Sequence, residues 1–415
     1  MTKSKYVPKR RFKEFELDSE WELLTLSDIS EGFEYGLNVP AKEFDGVNKY
    51  LRITDIDDTS REFLISNLSS PDANCESLGN YLLAEGDVLF ARTGASTGKT
   101  YYYKETDGKV FFAGFLIRAR VKGNFDHRFV FQNTLTKKYK NYIELTSQRS
   151  GQPGVNAQEY SRFSLNIPSL SEQKVIGDFV EKLDSLISLH QHKLDKLKNL
   201  KKAYLSEMFP AEGERVPKHR FPGFEGEWEY NKLMELAEFS KGKGYSKSDL
   251  QVEGQPIILY GRLYTKYETV ISQVDTFTDI KENSVLSKGG EVLVPSSGES
   301  ADDIARASVV DKAGIIIGGD LNIIKLYEKV EPVFLALAIS NGKQKEEISK
   351  RAQGKSVVHV NNDDLKQVSI LSPSLSEQKQ IGNFFKKLDQ SISLQQQKLD
   401  KLNDLKKAYL NELFV

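Results

Sequence analysis

Residues 168–209 read PSLSEQKVIGDFVEKLDSLISLHQHKLDKLKNLKKAYLSEMF, and residues 373–414 read PSLSEQKQIGNFFKKLDQSISLQQQKLDKLNDLKKAYLNELF. About 30 of these 42 positions are identical at a constant offset of 205. That is far beyond coincidence, so the chain carries an internal duplication. The copies extend outward. VPKRRFKEF from Val7 is echoed by VPKHRFPGF from Val216, and each is followed by Glu-Trp-Glu, at Glu20-Trp21-Glu22 and Glu227-Trp228-Glu229. Between these landmarks the halves diverge, keeping faint parallels such as GDVLFARTGAS from Gly86 and GEVLVPSSGES from Gly290.

The repeated segment is built as a helix. From Ser171 to Phe209 it has no proline and is rich in Leu, Lys, Glu, Gln and Ala, all good helix formers. Ser171-Glu172-Gln173 and Ser376-Glu377-Gln378 put a hydroxyl ahead of first-turn acids, which suit the positive end of the helix dipole. At 1.5 Å per residue such a helix is about 58 Å long. Ile176, Phe179, Leu183, Leu186, Leu197, Leu200 and Tyr204 alternate three and four apart, as do Ile381, Phe384, Leu388, Leu402, Leu405 and Tyr409. That spacing is a coiled-coil seam. His190 and Gln395 interrupt it, with Lys193 and Lys398 close by. Either a polar layer sets the register there, or the helices splay towards solvent.

Each copy alone exposes its apolar seam, so the expected solution is an antiparallel pair about a pseudo-twofold axis near His190 and Gln395. A variable domain would then sit at each end of a rod, at a separation of about one or two turns of B-DNA. The expected organisation is a first variable domain at 1–167, a helix at 168–210, a second variable domain at 211–372 and a final helix at 373–415. Strand-like runs such as DVLFA, KVFFAGFLIRARV and GIIIGGDLNIIKLY, beside helical FVFQNTLTKKYKNYIELT, make the fold class α+β, two mixed α/β domains joined by the helical pair.

At 415 residues the chain is too long for one ordinary core, which agrees with this division. No stretch offers the roughly 20 apolar residues of a bilayer span, and the polar N-terminus lacks an apolar signal core, so a cytoplasmic location without a membrane partner is expected. The single Cys75 and the scattered His127, His190, His192, His219 and His359 match no zinc spacing, so no metal site is expected. The net charge of −1 gives no global attraction to nucleic acid, so any such surface must be local.

RTGASTGKT at Arg92–Thr100 suggests a phosphate-binding loop, but three residues rather than four separate Gly94 and Gly98, and Tyr101-Tyr102-Tyr103 follows as a strand rather than a helix. The partner copy has no lysine there, which favours a turn shared by two related domains. Pro71-Asp72 with Asp107-Gly108-Lys109 is the nearest approach to a nuclease metal site, in a pattern that recurs by chance.

Two copies of PSLSEQK running into a long amphipathic helix, each behind a divergent domain with GDVLFARTGAS or its relative, resemble the specificity subunit of a type I restriction-modification system. The resemblance implies that each variable domain is a target-recognition domain for one half of a bipartite DNA sequence. It also implies that the helices set the spacing and bind two modification (methyltransferase) subunits, joined in the nuclease form by restriction (motor-nuclease) subunits. Catalysis would then belong to the partners, as would S-adenosylmethionine, ATP and Mg, with no cofactor on this chain. The sequence agrees in lacking an Asp/Asn-Pro-Pro-aromatic tetrapeptide for a flipped base.

Base reading needs polar side chains on loops or helix ends. The candidates in the first domain are Arg52, then Arg92, Thr93, Ser96, Thr97 and Lys99, then Gln148, Arg149, Ser150, Gln152 and Asn156 in SQRSGQPGVN. In the second they are Arg262, then Ser296, Ser297 and Ser300, then Gln353, Lys355 and Asn361 in AQGKSVVHVN. The plain alternative for each is a solvated surface group or a turn-stabilising side chain.

Overall fold

A computed structural model describes residues 6–148, 151–352, 354 and 357–415. The chain divides into two compact units, Met1–His192 with Gln397–Val415, and Lys193–Gln396.

In the first unit, β1 (Ser30–Tyr35), β2 (Asp87–Ala91), β3 (Thr100–Tyr102) and β4 (Leu116–Val121) form a sheet in the order β1-β4-β2-β3. Every residue of β2 is buried, as befits a strand covered on both faces. Val88 and Phe90 face a core shared with Trp21, Phe129 and Tyr160, while Leu89 and Ala91 face one built on Leu51, Tyr101 and Phe112. Helices α1 (His127–Asn133), α2 (Lys137–Thr146) and α3 (Ala157–Ser161) precede the long α4 (Leu170–Glu207).

The second unit repeats this plan. Its sheet uses β5 (Ala237–Lys241), β6 (Val270–Ile271), β7 (Val292–Pro295), β8 (Ser308–Val310) and β9 (Leu321–Leu326) in the order β5-β9-β7-β8-β6. It is followed by α5 (Pro332–Ser340), α6 (Gly342–Arg351), α7 (Asn362–Lys366) and the long α8 (Leu375–Glu412).

Within each unit one half of α4 meets one half of α8, and the two run antiparallel. In the first unit Phe179 packs edge-on against Tyr409 with centroids 4.8 Å apart, and Asp184 pairs with Lys406 at 2.5 Å. In the second, Tyr204 packs edge-on against Phe384 at 5.0 Å, and Lys201 pairs with Asp389 at 2.5 Å. As one residue number rises its partner's falls, and each pair in one unit is the 205-residue equivalent of a pair in the other.

Of the seam expected from sequence, Ile176, Leu183, Ile381 and Leu388 are buried and Phe179, Leu197, Tyr204, Phe384 and Tyr409 pack against the cores, while three of its leucines are corrected to exposed positions. Leu186 is 46% exposed, and Leu200 and Leu405 are also exposed. The buried line runs through Ile176, Val180, Leu183, Leu194 and Met208, and through Ile381, Phe385, Leu388, Gln395, Leu399 and Leu413. Beside the exposed leucines, Lys201 and Lys406 are half-buried, with their ammonium groups on Asp389 and Asp184 of the facing helix. A lysine in the seam looks like a gap in a sequence pattern, and the exposed leucines beside it look like its edge. Gln395 is buried, so its position does not face solvent.

The repeated landmarks of the sequence prove to be one clasp. Glu172, 1% exposed as a side chain, accepts a bidentate pair from Arg11 at 2.7 and 2.6 Å, and Glu377 accepts the same pair from Arg220 at 2.7 and 2.7 Å. The Gln173 side-chain carbonyl accepts from the Asp126 backbone N–H, and that of Gln378 from the Glu331 N–H, both at 3.0 Å. Asp126 and Glu331 cap α1 and α5. Gly177 and Gly382 leave room for these caps, since a Cβ would stand 2.9 Å from an Asp126 carboxylate oxygen and 2.4 Å from one of Glu331. Phe12 and Phe221 meet Phe179 and Phe384 edge-on. The foot of the opposite repeat closes each core: Phe414 stacks on Phe129 at 5.2 Å and Phe209 on Phe334 at 5.6 Å. Full burial of such a ring contributes about 1.5–3 kcal/mol.

Candidate nucleic-acid interface

In the first unit the two polar clusters, far apart in sequence, meet beyond the end of β2. Residues 94–96 make a single tight turn and the chain re-enters the sheet as β3. The turn is tied to the loop before α3: Gly94 N–H donates to Pro153 O at 3.0 Å, the Thr97 hydroxyl to the same carbonyl at 3.2 Å, and Val155 N–H to Arg92 O at 2.9 Å. Thr93 bridges Gly154, and Gln152 lies against Gly94. The second unit repeats the junction. Ser297–Gly298 pairs with Val358–His359, and Val360 N–H donates to Ser296 O at 3.1 Å.

Several candidates are held elsewhere. Lys99 is buried, with its ammonium on Ile56 O at 3.0 Å and Asp58 at 2.5 Å, so it reaches neither phosphate nor base. Arg262 is buried as a side chain and shared among Asp275 at 2.5 Å, Glu268 at 2.7 Å and Gln273 O at 2.8 Å. Lys266 and then Arg262 hold the Asp275 carboxyl down at about 2. Arg52 is locked bidentately on Asp55. Ser296 and Ser297 are buried. Ser300, Asn156 and Asn361 cap short helices, and the two asparagines stand 205 residues apart in matching capping boxes. Ser96 is half-buried in its turn, and Gln148 follows the end of α2. Arg149, Ser150, Gln353 and Lys355 lie outside the described residues.

Arg92 remains available. Its guanidinium lies 5.1 Å over the ring of Tyr35, and none of the described acidic side chains pairs with it. Sequence reading missed the neighbours that matter most here. Tyr35 is 43% exposed and Phe115, opposite Arg92, is 56% exposed. Phe115 sits inside the apolar run KVFFAGFLIRARV, where nothing separates it from core residues. Also unnoticed were the lysines of two equivalent helices, Lys137 and Lys140 on α2 and Lys343 and Lys350 on α6. These are suited to phosphate contacts, which position a protein without reading sequence. Lys138 differs, since its ammonium donates to Val415 O at 3.3 Å. Tyr101 and Tyr102 are buried in β3, their phenol pKa values raised by that burial, which removes them as base-stacking platforms.

No helix among the described residues is long and apolar enough to cross a membrane. Among them there is also no cluster of three His, Cys, Asp or Glu side chains able to hold a metal ion.

A family profile described as "Type I restriction modification DNA specificity domain" matches residues 18–199 and again 225–404. The type I restriction enzyme MjaVIII specificity subunit of Methanocaldococcus jannaschii is 22% identical over 426 residues, covering 98% of this chain and 96% of that protein. The crystal structure of a type I restriction-modification system S subunit from M. genitalium superposes with a TM-score of 0.67 at 13% identity, covering 99% of each chain. That likeness is one of fold.

Proposed function

Because this chain belongs to the type I restriction-modification DNA specificity family, we propose that its two units read the two halves of a bipartite duplex sequence. DNA-sequence recognition is the role of the family, as its non-catalytic subunit. The finer assignment rests on one observation: in each unit the two polar loop clusters come together beside the same strand end. One unit supplies Arg92 there and the other does not, as unlike half-sites require.

The long helices then set the gap between half-sites and carry the methyltransferase subunits. Leu189 and Leu394, and likewise Leu200 and Leu405, are exposed apolar side chains at the 205-residue offset. A duplicated exposed leucine supports a duplicated partner surface. S-adenosylmethionine, ATP and Mg belong, in this reading, to the partner subunits.

Exchanging residues 1–167 for the equivalent part of another specificity subunit, and assaying the assembled complex on a randomised duplex library, is expected to alter one half of the selected sequence alone. Change in both halves, or in neither, refutes the assignment. Inserting one heptad into both helices is expected to change the preferred gap or abolish binding. A nucleotide hydrolase acting through RTGASTGKT is disfavoured by the buried Lys99 ammonium, which is held on Ile56 O and on the exposed Asp58. Turnover by the purified chain that vanishes in Lys99→Ala would restore that reading.

A further inference from the structure

The ends of the two sheets share one pattern of main-chain bonds and differ in the side chains of its last rung. In the first unit β1, β2 and β4 run side by side, with Phe90 opposite Ile117, Tyr35 opposite Ile117 and Ala91 opposite Leu116. The next rung sets Arg92 opposite Phe115, closed by Arg92 N–H to Phe115 O at 3.0 Å. The Arg92 guanidinium lies over the Tyr35 ring, and Phe115 stands exposed on the turn that faces Arg92.

In the second unit Lys241 lies opposite Asn322 and Pro295 opposite Leu321. The next rung sets Ser296 opposite Asp320, closed by Ser296 N–H to Asp320 O at 2.8 Å. Lys241, Ser296 and Asp320 therefore hold the places of Tyr35, Arg92 and Phe115.

Both frames are rigidly made. Gly36 N–H donates to Leu116 O at 3.1 Å and Gly242 N–H to Leu321 O at 3.0 Å. A Cβ on Gly36 would stand 2.2 Å from Ala113 O, and one on Gly242 1.9 Å from Gly318 O, so only glycine admits this approach of the turn. Asp320 is held at φ 58, a conformation that aspartate tolerates better than most residues.

We infer that this strand-end triad determines specificity in each unit: Tyr35, Arg92 and Phe115 for one half-site, and Lys241, Ser296 and Asp320 for the other. The inference rests on the reading of two units as two half-site readers, and it names the residues that distinguish them. Arg92, steadied on Tyr35, offers paired donors that fit O6 and N7 of guanine, and the exposed Phe115 ring fits a thymine methyl. In the second unit the small, buried Ser296 leaves Asp320 and Lys241 exposed. The Asp320 carboxylate accepts from the exocyclic amine of cytosine, and the Lys241 ammonium donates to an adjacent guanine or phosphate. The first half-site therefore contains a guanine with a neighbouring thymine, and the second a cytosine.

The test is selection from a randomised duplex library by the complex of the full chain with its methyltransferase subunits. The unaltered complex is expected to select a bipartite sequence, with those bases in its two halves. Arg92→Ala with Phe115→Ala is expected to reduce preference at the guanine and thymine positions on the order of 10- to 100-fold, leaving the other half and the gap intact. Lys241→Ala with Asp320→Ala is expected to do the reverse. The untouched half reports folding within the same molecule, and Arg92→Lys with Phe115→Leu gives a second, milder variant. An unchanged selected sequence, or a uniform loss of affinity with the sequence preference intact, overturns this inference while the bipartite reading stands. Failure of the unaltered complex to select any bipartite sequence overturns both.

Discussion

Arg11→Ala is the sharpest test of the clasp. The Arg11 guanidinium bonds both oxygens of Glu172, and each side chain is more than nine-tenths buried. Removing the arginine leaves the Glu172 carboxylate without its partner, a change that costs about 3–5 kcal/mol for a buried pair. In a unit of this size one kcal/mol moves the melting temperature by about 2–4 °C, so the first unit should melt about 6–20 °C lower. Replacing both partners, Arg11→Met with Glu172→Met, removes the stranded charge and is expected to recover most of the loss, because well-packed apolar groups often substitute for buried pairs without penalty. The duplication supplies a replicate: Arg220→Ala should weaken the second unit through Glu377 in the same way. Urea unfolding, followed by hydrogen exchange on β2 and β7 separately, assigns the loss to a unit. A cost under about 1 kcal/mol for Arg11→Ala, or a double variant as unstable as the single one, refutes the reasoning.

Three further outcomes are expected. Lys201→Glu should destabilise the second unit by setting two acids together, and adding Asp389→Lys should restore most of the loss; additive effects in the double-mutant cycle would deny that the pair couples. Asp275 in the folded chain titrates at about 2, below its ordinary value near 3.8. Its contribution to stability is therefore complete above pH 3.8 and lost as pH falls towards 2, so Asp275→Asn should flatten acid unfolding in that window, and an unaltered profile counts against it. Asn156→Ala and Asn361→Ala should each cost about 1 kcal/mol in thermal unfolding without changing the selected DNA sequence, since both asparagines cap helices; a changed sequence preference would make them readers after all.

The helices and their direction were legible because a 3.6-residue period and a near-identical repeat are both local signals. The seam was legible except where its leucines turn out exposed. Lys201 and Lys406 look solvent-facing in a string of letters, yet they are half-buried on Asp389 and Asp184, which lie far off in sequence. The same blindness affected the site. Arg52, Lys99 and Arg262 carry the right chemistry for DNA, yet nearby acids hold all three. Phe115 carries no polar signal, and the turn geometry alone puts it outside the core. Proximity of charges is a tertiary property, so composition points to a class of residue and not to which member is free.

The geometry also accounts for which letters the duplication kept. In the clasp both members of the side-chain pair persist: Arg11 with Glu172 recurs as Arg220 with Glu377. The clasp's bonds to backbone groups keep only the side chain. Gln173 and Gln378 are identical, but the residues whose N–H they receive are Asp126 in one copy and Glu331 in the other. Arg10 and His219 contribute the same backbone N–H, to Glu412 O and Glu207 O, while their side chains have diverged and Arg10 adds an ion pair with Glu412 at 2.7 Å. At the strand ends the closing bond is backbone to backbone on both sides, and there both residues differ, Arg92 with Phe115 against Ser296 with Asp320. A frame held by main-chain bonds constrains its presented side chains only through the backbone, as at Gly36, Gly242 and Asp320. In the proposed reading, the remaining positions are those at which a new half-site preference can arise without loss of the fold.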